Sequence, residues 1–149
     1  MARVLIVGCG CRGRSLAGGL VERGLAVRGT TRDPARTAEI EAAGAEAAVA
    51  DPDRLGTLLP HLQGVTIICW LMATAGAPEL HGERLRSLLE KLVDTPVRGF
   101  VYEAGGGEDI VRAAGASFRL PVEVVNADPG HHDEWRSAML ACVDRLLVP

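Results

Sequence analysis

The segment Val4-Leu5-Ile6-Val7-Gly8-Cys9-Gly10-Cys11-Arg12-Gly13 constrains this chain more than any other. An apolar run that stops at glycines spaced G-x-G-x-x-G, directly ahead of a stretch with helical periodicity, is a buried strand turning sharply into a helix. Each glycine has its own mechanical duty: Gly8 permits the tight turn, Gly10 lets bare backbone approach a ligand, and Gly13 lets the helix pack close to the strand. The unpaired N–H groups that open the helix then form a seat for a pyrophosphate at the positive end of the helix dipole. The residues placed at this seat are Gly8, Cys9, Gly10, Cys11, Arg12 and Gly13, with the Arg12 side chain a candidate second phosphate contact. A second strand follows within about 30 residues, which makes the whole a βαβ unit of the kind that binds a dinucleotide.

The rest of the chain repeats this alternation. Short β-branched runs at Arg3 to Val7, Ala26 to Thr31, Glu46 to Ala50, Val65 to Leu71, Gly99 to Glu103 and Val122 to Asn126 are separated by helical segments. The pattern predicts an α/β fold: a doubly wound parallel sheet of about six strands in the order 3-2-1-4-5-6, with helices on both faces. Local signals agree, since Asp33-Pro34 supplies an N-cap and an N1 proline, and Gly24 and Gly44 sit where helices should stop. Leu85, Leu88, Leu89 and Leu92 form an i, i+3, i+4, i+7 stripe, read as packing on the sheet with a homo-oligomer seam as the alternative. A last helix is expected from about His132 to Leu147. With 149 residues in all and about 23 after Asn126, the expectation is one domain over residues 1–149 without a separate substrate domain.

Composition narrows the partners. A net charge of -3 gives no electrostatic footprint for nucleic acid or anionic membranes. No apolar run reaches the roughly 18 residues that span a bilayer, and Met1-Ala2-Arg3 leads at once into the first strand, leaving no room for a signal segment. Cys9, Cys11, Cys69 and Cys142 have no disulfide-framework spacing, so a reducing cytoplasm is expected. The neighbours His131-His132-Asp133 point to different sides of a helix and no CxxC pair exists, so no metal site is expected. Cys11, at a helix N-terminus, is either a reactive thiol or a small turn-filling residue.

The second strand ends Val27-Arg28-Gly29-Thr30-Thr31-Arg32-Asp33. A site for NAD normally carries Asp or Glu at this tip, where it bonds the ribose 2′-OH. Thr30 or Thr31 stands in that place, followed by Arg32. A small hydroxyl and a guanidinium welcome a 2′-phosphate through charge-assisted bonds, so NADP is expected in preference to NAD. Asp33 is assigned the capping role, which leaves Arg32 for the ligand. Asp51 and Pro52, just past the third strand, fall where a side chain meets the adenine edge or caps the next helix.

On these residues the chain resembles the short-chain dehydrogenase/reductase superfamily, in particular its atypical and extended members related to nucleoside-sugar epimerases. Val4 to Gly13, Gly24 to Asp33, Gly44 to Asp51, Gly64 to Trp70 and Arg98 to Tyr102 each resemble one of its recurrent blocks. The resemblance implies a Rossmann fold that binds NAD(P), with Trp70 among the cofactor-side residues. It also implies a catalytic Tyr-x-x-x-Lys, which this chain lacks: the only tyrosine is Tyr102, the only lysine is Lys91, and Gly106 stands four after Tyr102. Glu103, at the carboxyl end of the fifth strand, is the remaining acid/base candidate, with a helix-capping or solvated carboxylate as the alternative. Two functions follow: an NADP-linked oxidoreductase acting on a small carbonyl or imine substrate, or an NADP-binding sensor without turnover.

Overall fold

The computed structural model describes residues 2–73 and 77–148; the opening Met1 invoked above lies outside the described residues. β1 (Arg3–Val7), β2 (Ala26–Thr31), β3 (Glu46–Val49), β4 (Ile67–Trp70), β5 (Gly99–Glu103) and β6 (Val122–Val125) form one parallel sheet in the order β3-β2-β1-β4-β5-β6. The helices are α1 (Cys11–Glu22), α2 (Thr37–Ala42), α3 (Leu55–Leu58), α4 (Glu83–Lys91), α5 (Glu108–Phe118) and α6 (His132–Leu147). This is the strand order that the alternation of the sequence predicts.

The sheet is apolar on both sides because both are covered. Val4 and Ile6 of β1 join Ile67, Cys69 and Val101 on the face closed by Leu16 and Leu20 of α1 and Trp135 and Met139 of α6. Leu5 and Val7 join Ile68, Trp70, Phe100 and Tyr102 on the opposite face, under the leucines of α4 and Val111 of α5. The predicted leucine stripe is therefore core: Leu85, Leu88 and Leu89 are fully buried and Leu92 nearly so.

β1 lies between β2 and β4, with Leu5 level with Arg28 on one side and Ile68 on the other. The direction of winding reverses here, which leaves a crevice beyond the carboxyl ends of β1 and β4. Three strands are shorter than their apolar runs. Val65 donates back to the Leu62 carbonyl in a turn, 3.1 Å, so β4 starts at Ile67. Ala50 and Leu71 still donate to Thr31 and Val7, each 3.0 Å, just past the paired residues of β3 and β4. β6 ends at Val125, one residue before Asn126.

Helix ends follow local chemistry. The Asp33 side chain accepts from the Ala35 N–H, 2.9 Å, ahead of a 3₁₀ turn opened by Pro34. Gly24 and Gly44 take positive φ just past α1 and α2. Among the described residues no helix is long and apolar enough to cross a membrane.

Candidate functional site

The glycine turn is held from both sides. The Gly8 N–H donates to Thr30 Oγ1, 3.1 Å, and the Cys9 N–H donates to the Thr30 carbonyl, 2.9 Å, so the turn is tied to β2. Gly8 has φ +88, and a Cβ there would come within 2.8 Å of the Leu71 carbonyl oxygen. A Cβ on Gly13 would stand 3.1 Å from the Gly8 oxygen, the close helix-to-strand approach expected of that position. At Gly10 a Cβ would meet nothing within 4 Å. Arg14 donates to the Gly10 carbonyl, 2.8 Å, and closes the first turn of α1, so the amides of Cys11, Arg12 and Gly13 precede any intrahelical acceptor.

Above the turn lies a cavity of about 370 Å³, within the roughly 300–1,000 Å³ of small-molecule sites. The whole glycine turn borders it, as do Thr31, Arg32, Asp51 and Pro52. Thr30, Ala50 and Asp53 adjoin these, and the remaining walls, Arg36 near β2, Leu71 and Met72 beyond β4, and Ala77 and Leu80 opposite, carry no signal in the sequence. Trp70 is not among them. It is fully buried on the α4–α5 face, packs its ring 6.5 Å from Phe100 and donates Nε1–H to the Leu80 carbonyl, 3.1 Å. It supports the wall from behind.

The bordering residues differ in what they offer. The Cys9 thiol is packed on Gly29, where an added Cβ would stand 2.6 Å from its sulfur, and burial pushes this thiol up to about 11. Cys11 is exposed. Asp51 spends a carboxylate oxygen on the Asp53 N–H, 3.0 Å, in a local turn before α3. At the tip of β2, Thr31 Oγ1 accepts from the Asp33 N–H, 3.2 Å. Arg36 lies 3.5 Å from Glu39. Arg32 is exposed and, among the described residues, has no hydrogen-bond or ion-pair partner.

Arg12 and Glu103 meet across 91 positions of sequence. Arg12 donates from Nη2 to Glu103 Oε1 at 2.7 Å and from Nε to Oε2 at 3.2 Å. Glu103 also accepts from Trp135 Nε1, 2.7 Å, and from the Ala73 N–H, 3.1 Å. The guanidinium lies 5.6 Å from the centre of the Trp135 ring. Glu103 is 1% exposed, so the carboxylate expected to serve as an acid or base is surrounded by donors rather than open to a substrate.

Tyr102 points to the other face. It is fully buried, its hydroxyl accepts from the Gly107 N–H, 2.8 Å, and it is bonded to His81 Nδ1. Burial raises this phenol above its ordinary value. His81 Nε2 stands 2.8 Å from the Met72 carbonyl, so this nitrogen carries the proton and the hydroxyl donates to Nδ1. Among the described residues no cluster of His, Cys, Asp or Glu could hold a metal.

A doubly wound parallel sheet with a glycine turn at its switch point is a Rossmann-type α/β fold. No protein-family description matches the sequence, and no curated protein does. Solved structures do match. A short-chain dehydrogenase/reductase superfamily protein from Agrobacterium tumefaciens with bound NAD is similar at TM-score 0.66 and 22% identity, over 82% of this chain and 48% of that one. Yeast methylglyoxal/isovaleraldehyde reductase, complexed with NADPH, is similar at TM-score 0.66 and 12% identity, over 82% of this chain and 52% of that one. UDP-N-acetylglucosamine 4-epimerase from Bacillus cereus is similar at TM-score 0.72 and 15% identity, over 100% of this chain and 76% of that one. The chain thus spans about half the length of the two reductase-type structures. The fold that the sequence resemblance implies is the one these structures share.

Proposed function

We propose that this chain is an NADP(H)-binding protein of the reductase fold, with residues 1–149 acting as one ligand-binding domain. The carrying observation is the exposed Arg32 at the tip of β2, unpartnered among the described residues, beside a glycine turn whose Gly10 faces open space. The first-turn amides of α1 would receive the pyrophosphate, and Thr31 and Arg32 the 2′-phosphate of the adenosine ribose. Asp51 and Pro52 border the side on which the adenine would lie. Two structurally similar proteins carry NAD and NADPH, which supports a nicotinamide dinucleotide as ligand. NAD is the alternative. Calorimetric titration with NADPH and NADH tests this; tighter NADPH binding is expected, and equal or absent affinity refutes the role of Arg32.

Holding the ligand without turning it over is the reading that the side chains favour. Bound NADP(H) would supply hydride chemistry, but this chain offers it little acid/base help. Glu103 is committed to Arg12, Trp135 and Ala73, and Tyr102 to His81 and Gly107. Glu103 is therefore proposed as a positioning group for Arg12. Incubation with NADPH and a panel of small carbonyl and imine compounds should leave the cofactor unconsumed. Consumption that Glu103→Gln abolishes would restore the oxidoreductase reading.

A further inference from the structure

We infer that the cavity is built for one half of a dinucleotide, taking a 2′-phosphorylated adenosine 5′-diphosphate group as its complete ligand, while the Arg12–Glu103–Trp135 cluster fills the ground of the second mononucleotide. This rests on the binding proposed above and narrows it.

A doubly wound sheet is two mononucleotide-binding halves, and a dinucleotide crosses from one to the other at the switch point. The cavity walls come from the carboxyl ends of β1, β2 and β3 and the residues just past β4, with Ala77 and Leu80. Among the described residues none comes from β5, β6 or α6. The elements suited to an anionic adenosine group are gathered on this side: the open face of Gly10, the first amides of α1, and Arg32, without a partner among the described residues.

The second half is occupied by the protein's own side chains. Above the end of β5, Glu103 receives two bonds from Arg12, and the guanidinium rests against the fully buried Trp135. The first turns of α6 close over α1 from the same side: Ser15 Oγ is 2.9 Å from His132 Nε2, and Arg136 donates Nε–H to the Ser15 carbonyl, 3.1 Å. His132 stacks on Trp135 with ring centres 6.1 Å apart. A nicotinamide riboside placed here would have to displace the Arg12 guanidinium from Glu103 and Trp135, breaking a buried ion pair, a cost that opposes entry.

The opposite wall is also pinned. Trp70 holds the Leu80 carbonyl, and His81 holds the Met72 carbonyl while bonded to Tyr102. The adenosine side is thus a formed cleft. A protein with this site reads the 2′-phosphoadenosine group and is indifferent to the oxidation state of the nicotinamide.

The test is calorimetric titration of the full chain with 2′-phospho-ADP-ribose, NADP⁺ and NADPH, alongside the nicotinamide emission of bound NADPH. The expected result is three dissociation constants within about threefold of one another, and emission unchanged from free NADPH. A preference of more than about threefold for either intact dinucleotide, or enhanced emission on binding, overturns the half-site while leaving NADP(H) binding in place. If none of the three binds, the binding proposal itself fails and the half-site with it.

Discussion

Replacing Glu103 with alanine removes one carboxylate that accepts from Arg12 Nε and Nη2, Trp135 Nε1 and the Ala73 N–H. The indole N–H belongs to a fully buried residue and loses its acceptor, at a cost of about 1–3 kcal/mol. Breaking a fully buried ion pair costs about 3–5 kcal/mol. The Arg12 side chain, however, is 23% exposed and can turn to water, which brings this part down to about 1–2 kcal/mol. Lost packing of the Cγ methylene adds about 1 kcal/mol. The alanine variant should therefore lose about 3–6 kcal/mol, and the shape-preserving Glu103→Gln about 2 kcal/mol, because an amide accepts through one oxygen only. For a chain of this size the larger loss lowers Tm by roughly 6–24 °C. Urea unfolding followed by tryptophan emission reads the change as a lower midpoint at constant slope. Together with Arg12→Ala in a double-mutant cycle, the coupling should be about 1–3 kcal/mol. A loss below about 1 kcal/mol for Glu103→Ala would mean that the carboxylate is not holding these donors, and the positioning role assigned to it would fall.

The two outer positions of the turn separate folding from binding. Gly8→Ala forces a side chain to φ +88 and against the Leu71 carbonyl, so it should lose at least about 2 kcal/mol by denaturation. Gly10→Ala adds a methyl to open space and should change stability by less than about 1 kcal/mol while weakening NADPH binding about tenfold or more by calorimetry. Arg32→Ala should weaken NADPH about 10- to 100-fold and leave NADH unchanged; equal losses for both would refute a 2′-phosphate contact. In native protein a thiol reagent should label exposed Cys11 quickly and spare Cys9, Cys69 and Cys142, which are buried. Burial pushes Cys9 and Cys142 up to about 11 and Cys69 higher, whereas an unfolded thiol titrates near about 8.5. The folded state keeps protons that the unfolded state releases, so stability is full below about pH 8.5 and falls as pH rises towards 11. A urea midpoint equal at pH 8 and pH 10.5 would contradict this.

What was legible in the sequence was local. The glycine spacing, the β-branched runs and the Asp33-Pro34 start are written in neighbouring residues, and they lead to the sheet order and to most of the cavity wall. Trp70 stands behind the cavity rather than in its wall because the face a strand residue occupies depends on register. It pairs with Val7 and shares the α4–α5 face, whereas Cys69 and Leu71 face α1. The Arg12–Glu103–Trp135 cluster left no trace, since its members stand 91 and 32 positions apart and meet only when α1 and α6 lie side by side. Taken singly, Arg12 suits a phosphate contact and Glu103 an acid or base; their pairing changes what both can do.

The closure of α6 over α1 also orders events along the chain. β1, α1 and β2 can pair early, because few residues separate them. The arginine at the mouth of the glycine turn finds its partners only after Glu103 and Trp135 have emerged and docked. Such non-local contacts form late and slowly compared with neighbouring ones. A nascent chain cut short before Trp135 would thus carry every glycine of the motif and still present a site with its second half open. Selectivity for the adenosine group would be acquired at the last step of folding.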